Sequence, residues 1–160
     1  MKLTVLAIGK LKSGPERDLA ERYRGRAEAL GRAAGFAPLE VIEVAESRAR
    51  REDDRRAQEG RVLVERAGAD LLVALDQCGQ SITSEALAQR LAGWRDQGAG
   101  AAVFAIGGAD GLDAAVRCKA ALVLSFGALT IPHQIVRVLL LEQIYRCLTI
   151  IAGHPYHRGG

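Results

Sequence analysis

Ala101-Ala102-Val103-Phe104-Ala105-Ile106-Gly107-Gly108-Ala109-Asp110-Gly111 is the stretch whose reading sets the fold class. Its first six residues are apolar without alternation, the pattern of a short strand covered on both faces, as in a parallel sheet flanked by helices. The run then stops at three glycines in five positions. Glycine removes side chains and permits positive φ, so the backbone here can approach a ligand closely or turn sharply. The pattern is not G-x-G-x-x-G, it follows a late strand rather than the first, and no G-K-[ST] is present, so neither a Rossmann fingerprint nor a Walker loop is expected.

Upstream, Leu3 to Ile8 reads as a buried strand ending at Gly9. Ser13-Gly14-Pro15-Glu16 predicts a helix start, with Ser13 as cap and Pro15 in the first turn, and a helix to about residue 34. Leu39 to Val44 is a second strand, and the mixed charges from Ser47 to Ala67 a second helix with a solvated face. Ala69 to Leu75 is a third strand, ending in the loop chemistry of Asp76-Gln77-Cys78-Gly79-Gln80. Thr83 or Ser84 then caps a helix running to about Gln97. Downstream, a short helix from Leu112 to Lys119 leads to a strand at Ala121 to Ser125. A loop follows, and Pro132 suits the first turn of a last helix ending near Ile151. This alternation predicts one α/β domain over residues 1–160, a mostly parallel sheet with helices on both faces. Ligands in such sheets bind beyond the carboxyl ends of the strands, which singles out the loops after Leu75, Ile106 and Ser125.

Composition narrows the class. Of 160 residues, 49% are hydrophobic and 26% charged, an ordinary globular balance. The most apolar run, Ile135 to Ile151, is broken by Arg137, Glu142, Gln143 and Arg146, short of the roughly 18–20 apolar residues that span a membrane. No signal peptide is evident at the N-terminus, so a cytoplasmic protein is expected. Cys78, Cys118 and Cys147 are odd in number and widely spaced, unlike a disulfide framework or a zinc site, and are expected as buried thiols. Net charge is +3, a weak pointer to a polyanion.

The loop Ser125-Phe126-Gly127-Ala128-Leu129-Thr130-Ile131-Pro132-His133 is mainly apolar and suits either a flat ring held by backbone groups or a buried connection. In the last helix His133 and Arg137 face the same way, and Glu142 and Arg146 stand in ion-pair order. Its apolar positions on every side predict burial by both the sheet and a second copy, hence a homodimer. The tail Gly153-His154-Pro155-Tyr156-His157-Arg158 could stack on a base, bind phosphate and move a proton, or be a loose end. A metal site is not expected there. Ser125, His133 and Asp110 could make a catalytic triad on paper, but no G-x-S-x-G elbow accompanies them.

Leu124-Ser125, Thr130-Ile131-Pro132-His133-Gln134, Arg137, Leu140, Glu142-Gln143, Tyr145-Arg146 and Pro155-Tyr156-His157 together resemble the signature of the RlmH family of small SPOUT-class methyltransferases. Met1-Lys2-Leu3, Leu75-Asp76, Ile106-Gly107-Gly108 and Gly111-Leu112 are similar as well, so the resemblance covers essentially the whole chain. It implies a SPOUT-type α/β knot, with a C-terminal trefoil, and a homodimer. It implies methyl transfer from S-adenosyl-L-methionine to N3 of a pseudouridine in the intersubunit-bridge stem-loop of 23S rRNA, on assembled 70S ribosomes. RNA and not DNA, no membrane and no metal are implied. By position it puts the cofactor against Leu75, Gly107, Phe126, Gly127, Ala128, Leu129, Thr130 and Ile131. The chemistry requires a group that takes the imide proton, for which His157 leads, with Tyr156, Arg146 and Arg158 placing the base or its phosphate. Two other readings stay open: methylation of a different RNA nucleoside, and a ribosome-binding factor without catalysis.

Overall fold

The computed structural model describes residues 1–154. Within them, β1 (Lys2–Ile8), β2 (Leu39–Val44), β3 (Leu71–Gln80), β4 (Ala101–Ile106) and β5 (Leu122–Leu124) form an all-parallel sheet in the order β2-β1-β4-β3-β5. Five helices connect or cover them: α1 (Pro15–Gly31), α2 (Glu52–Ala67), α3 (Ser84–Asp96), α4 (Ala114–Lys119) and α5 (His133–Ile151). The expected α/β class with helices on both faces is what forms.

Successive side chains of a strand point to opposite faces, and here both faces are apolar. Leu3, Val5, Val73, Ala102 and Phe104 point to one side, where Ala27 of α1, Leu87 and Leu91 of α3 and Leu140 and Ile144 of α5 cover them. Leu6, Ile8, Leu72, Ala74 and Val103 point to the other, against Leu63 of α2 and Val116 of α4. Phe104 is fully buried at the centre, so truncating it to Ala would cost about 3–5 kcal/mol. The N-termini are built locally. Thr83 accepts from Ala86 N–H (3.2 Å) to cap α3, and Asp113 accepts from Ala115 N–H (2.8 Å) to cap α4. Glu52, Asp53 and Asp54 fill the first turn of α2, where the helix dipole favours negative charge.

Several expectations need correcting. Ser13 caps nothing: Gly14 is the N-cap of α1, with Pro15 behind it and no side-chain cap, and the helix ends at Gly31 rather than near residue 34. Helix α2 starts at Glu52, not Ser47, because residues 45–51 run as a strap held by Glu59, which accepts from Ser47 N–H (2.9 Å), and by Arg55, which donates to the carbonyls of Ala49 (3.2 Å) and Arg50 (3.1 Å). Asp76 to Gln80 is not loop but the continuation of β3, with an irregularity between Leu75 and Gln80. Gly79 permits this, since a Cβ there would stand 2.6 Å from the Val123 carbonyl oxygen of β5. Pro132 is the N-cap of α5 rather than a residue of its first turn. Of the three cysteines only Cys147 is buried; Cys78 and Cys118 are exposed, because β3 runs past the covered sheet and Cys118 lies on the outer side of a six-residue helix. No described helix is long and apolar enough to cross a membrane.

Candidate active site

At the carboxyl edge of the sheet the register sets Leu75 beside Ile106 on one side and Leu124 on the other. Three apolar side chains at the ends of adjacent strands therefore form the back of a cleft of ≈ 720 Å³, completed by Phe126, Val136 and the glycine-rich loop. That volume is in the range of small-molecule sites.

The floor is residues 107–112. Gly107 is held so close to Gly111 that a Cβ would lie 2.7 Å from the Gly111 carbonyl carbon. Any side chain at 107 would break the turn, which Gly111 N–H closes on the Gly108 carbonyl at 3.1 Å. The opposite wall is 126–132. It is tied down by Ser125, whose Oγ accepts from Gly127 N–H at 3.0 Å and reaches the carbonyls of Gly127 (3.0 Å) and Gln77 (3.2 Å). Gly127 adopts φ 122°, a conformation that suits glycine.

The charged groups around the cleft are mostly neutralised. Arg55 holds Asp110 with two bonds, Nε to Oδ2 at 2.6 Å and Nη2 to Oδ1 at 3.0 Å, and its guanidinium keeps the Asp110 carboxyl below the usual carboxylate range. Arg117 donates to Asp76 (3.1 Å) and to the Leu112 carbonyl (2.7 Å), so it joins the end of the apolar part of β3 to the end of the glycine-rich loop. Asp76 also accepts from Cys78 N–H at 2.9 Å. Arg56 is paired with Asp53. Beneath the loop, Glu59 is buried with one oxygen unbonded, and that burial pushes its carboxyl up from the ordinary range.

Of the residues expected to hold a cofactor, Leu75, Gly107, Phe126, Gly127, Leu129, Thr130 and Ile131 line this one cleft, although they come from three separate parts of the chain; Ala128 is not among its lining. Leu129 stands out into it, 81% exposed. Arg146 is not brought to the cleft lining: it is on α5, paired with Glu142 at 2.7 Å in the order expected. Tyr156, His157 and Arg158 lie outside the described residues. The paper triad does not assemble, since Asp110 is taken by Arg55 and Ser125 by backbone groups. Among the described residues no group of three His, Cys, Asp or Glu is placed to hold a metal ion. Reading the sequence missed Arg55, Glu59 and Arg117. Arg55 and Glu59 sit in the mixed-charge helix α2 and Arg117 in the short α4, and the only local signal was Asp76, directly after an apolar run.

The family model described as "Predicted SPOUT methyltransferase" matches residues 1–157. Curated relatives named "Ribosomal RNA large subunit methyltransferase H" match nearly end to end. That of Methylobacterium radiotolerans is 56% identical, covering 99% of this chain and 98% of its own. That of Rhodopseudomonas palustris (strain BisA53) is 58% identical, covering 99% of each. That of Nitrobacter winogradskyi is 56% identical, covering 99% of this chain and 100% of its own. Among solved structures, the SpoU methyltransferase AviRb from Streptomyces viridochromogenes, in complex with AdoMet, aligns with a TM-score of 0.41 at 16% identity. It covers 89% of this chain, which spans 56% of that one, a likeness too distant to argue from.

Proposed function

The chain belongs to the ribosomal RNA large subunit methyltransferase H family of SPOUT methyltransferases, and on that footing we propose that it methylates 23S rRNA with S-adenosyl-L-methionine. The acceptor in this reading is N3 of a pseudouridine in the intersubunit-bridge stem-loop, modified on the assembled 70S ribosome by a cytoplasmic homodimer. The observation that carries it is the cleft, where residues from three strand ends converge in a chain more than half identical to the named rRNA methyltransferases.

The donor set of the cleft fits this cofactor. A flat ring needs apolar faces and backbone hydrogen bonds, and Leu75, Ile106, Leu124 and the 126–131 backbone offer both. Leu75, Gly107, Phe126, Gly127, Leu129, Thr130 and Ile131 would hold it, with Ala128 part of the same segment. When bound it supplies a methyl group already activated on a sulfonium. The chain's work is then to fix donor and acceptor in line and keep water out. The apolar back wall and the glycine-rich floor would help keep water from the methyl group once donor and acceptor are bound. The acceptor nitrogen carries a proton that must leave before it can attack. In this reading a ring nitrogen of His157 accepts that proton, while Tyr156, Arg146 and Arg158 place the base or its phosphate. Support for a homodimer comes from Ile135 and Leu139, apolar and 38% and 36% exposed one turn apart on α5.

Incubation of the purified protein with methyl-labelled S-adenosyl-L-methionine and 70S ribosomes lacking this modification tests the reading. Label on the bridge stem-loop pseudouridine is expected. Label elsewhere in RNA would change the acceptor, and no label with cofactor bound would leave a non-catalytic ribosome factor. Free 23S rRNA is expected to be a poor substrate beside assembled ribosomes, because so small a protein has little surface for reading sequence.

A further inference from the structure

Lys10 and Lys12, in the connection from β1 to α1, and Arg48, Arg50 and Arg51, in the strap from β2 to α2, are all exposed. No carboxylate is within ion-pair distance of any of them among the described residues, whereas Arg55, Arg56 and Arg117 around the cleft are each taken up by an aspartate. Two lysines stand in residues 9–14, and three arginines against Glu46 in residues 45–51. These thirteen residues carry a net +4, while the entire chain carries +3, so everything else is net negative by one.

Glu46 is the one acid within the two connections, its carboxylate set against Gly9, and the +4 already counts it; of the other acids close in sequence, several are engaged or local to a helix end. Glu43 is bound by Arg137 and by Leu11 N–H. Glu52, Asp53 and Asp54 occupy the first turn of α2, and Asp53 is bound by Arg56.

Both connections leave the carboxyl edge of neighbouring parallel strands, and both are fastened to the cleft. Gly9 lies against the cleft residue His133, whose Nε2 is 3.5 Å from where a Gly9 Cβ would stand. The strap is fastened through Arg55, which bonds the Ala49 and Arg50 carbonyls with one nitrogen and Asp110 of the cleft floor with the others. The backbone of both connections is therefore anchored beside the site.

We propose that these two connections form a docking rim for the phosphodiester backbone of the acceptor RNA, seating phosphates beside the cleft so that the acceptor base can enter it. The inference rests on the RNA-methyltransferase reading above. Unpaired lysine and arginine side chains suit phosphates, whose contacts fix register without reading sequence. Such contacts displace counterions, so they leave a signature in the salt dependence of binding.

The test uses the full chain with three variants: R48S/R50S/R51S, K10S/K12S, and R32S/R61S/R66S as a control that removes three exposed arginines away from the rim. Binding to 70S ribosomes is measured across about 50–200 mM salt, a range over which phosphate contacts show clearly. Binding of S-adenosyl-L-methionine is measured by calorimetry. The rim variants should bind ribosomes about tenfold more weakly at low salt, with the slope of log affinity against log salt shallower by about 2 for K10S/K12S and about 3 for R48S/R50S/R51S. Cofactor affinity should be unchanged, and the control should stay within about twofold of wild type. Rim variants that match a labelling-competent wild type overturn the rim alone, as does a control that loses as much as they do. A wild type that labels no RNA overturns the function as well.

Discussion

Arg55 and Asp110, one on the first turns of α2 and the other in the glycine-rich loop, meet in a two-pronged ion pair across 55 positions of sequence. The same guanidinium holds the Ala49 and Arg50 carbonyls. One side chain thereby fixes the glycine-rich floor of the cleft to the strap of residues 45–51. Replacing Arg55 by Ala should weaken S-adenosyl-L-methionine binding several-fold while shifting the melting temperature little, since a partly exposed pair adds little to global stability. Arg55→Lys, which cannot reproduce the fork, should recover only part of the loss. Equal affinity in all three proteins, measured by calorimetry, would refute a positioning role.

Cys78 lines the cleft and is exposed, whereas Cys118 is exposed away from it and Cys147 is buried, its thiol pushed up to about 12 by that burial. Thiol labelling followed by peptide mass analysis should modify Cys78 and Cys118 and leave Cys147 untouched in the folded chain. Added S-adenosyl-L-methionine should slow labelling at Cys78 and not at Cys118. Protection of both, or neither, would count against the cleft as the cofactor site.

Glu59 gives a pH signature of defined sign. Burial raises its carboxyl in the folded chain. Between the ordinary value and the raised one, the unfolded chain has given up a proton that the folded chain keeps. Stability from this group is therefore whole below the window and falls as pH rises through it. Urea midpoints of wild type and Glu59→Gln, followed from about pH 4 to 7, should diverge in favour of the variant as pH increases. Parallel curves would show that the buried carboxyl carries no such penalty.

Arg137 is 2% exposed and rests on Glu43 and on the Gly9 carbonyl at 3.0 Å. Removing the carboxylate strands a buried cation, so Glu43→Ala should cost about 3 kcal/mol. For a chain of this size that is a melting temperature lower by roughly 6–12 °C. A loss below about 1 kcal/mol, the range of surface pairs, would mean that water reaches Arg137.

The tail has its own test. His157→Ala is expected to abolish methyl transfer on saturating 70S ribosomes while calorimetry still registers cofactor binding. Full turnover in that variant would remove His157 as the proton acceptor and send the search back into the cleft.

Much of this architecture is written locally. The runs around Val5, Val73 and Phe104 are apolar without alternation because both faces of the sheet are covered, and glycines or caps close most of them, so strand order in the chain and the edge that carries the cleft could be read directly. What could not be read depends on contacts distant in sequence. Asp76 to Gln80 has turn composition, yet pairing with Leu124 and the close approach of Gly79 to Val123 make it strand. Arg55 sits in a run of mixed charges most of whose members face solvent, and nothing local separates it from Arg48 or Arg50. Cys78 and Cys118 follow their elements to the surface against the usual preference of free thiols for the interior.

The order of the sheet also has a consequence for how the chain is born. The partner of β1 on one edge, β2, is complete once Val44 is made, but its other edge waits for β4, so that Lys2 finds Ala101 only after most of the polypeptide exists. Between the end of β2 at Val44 and the end of β4 at Ile106 the ribosome must add 62 residues, which at about 5–20 residues per second takes roughly 3–12 s. During that interval a strand as apolar as Leu3 to Ile8 has one open edge while the rest of the chain is still being made.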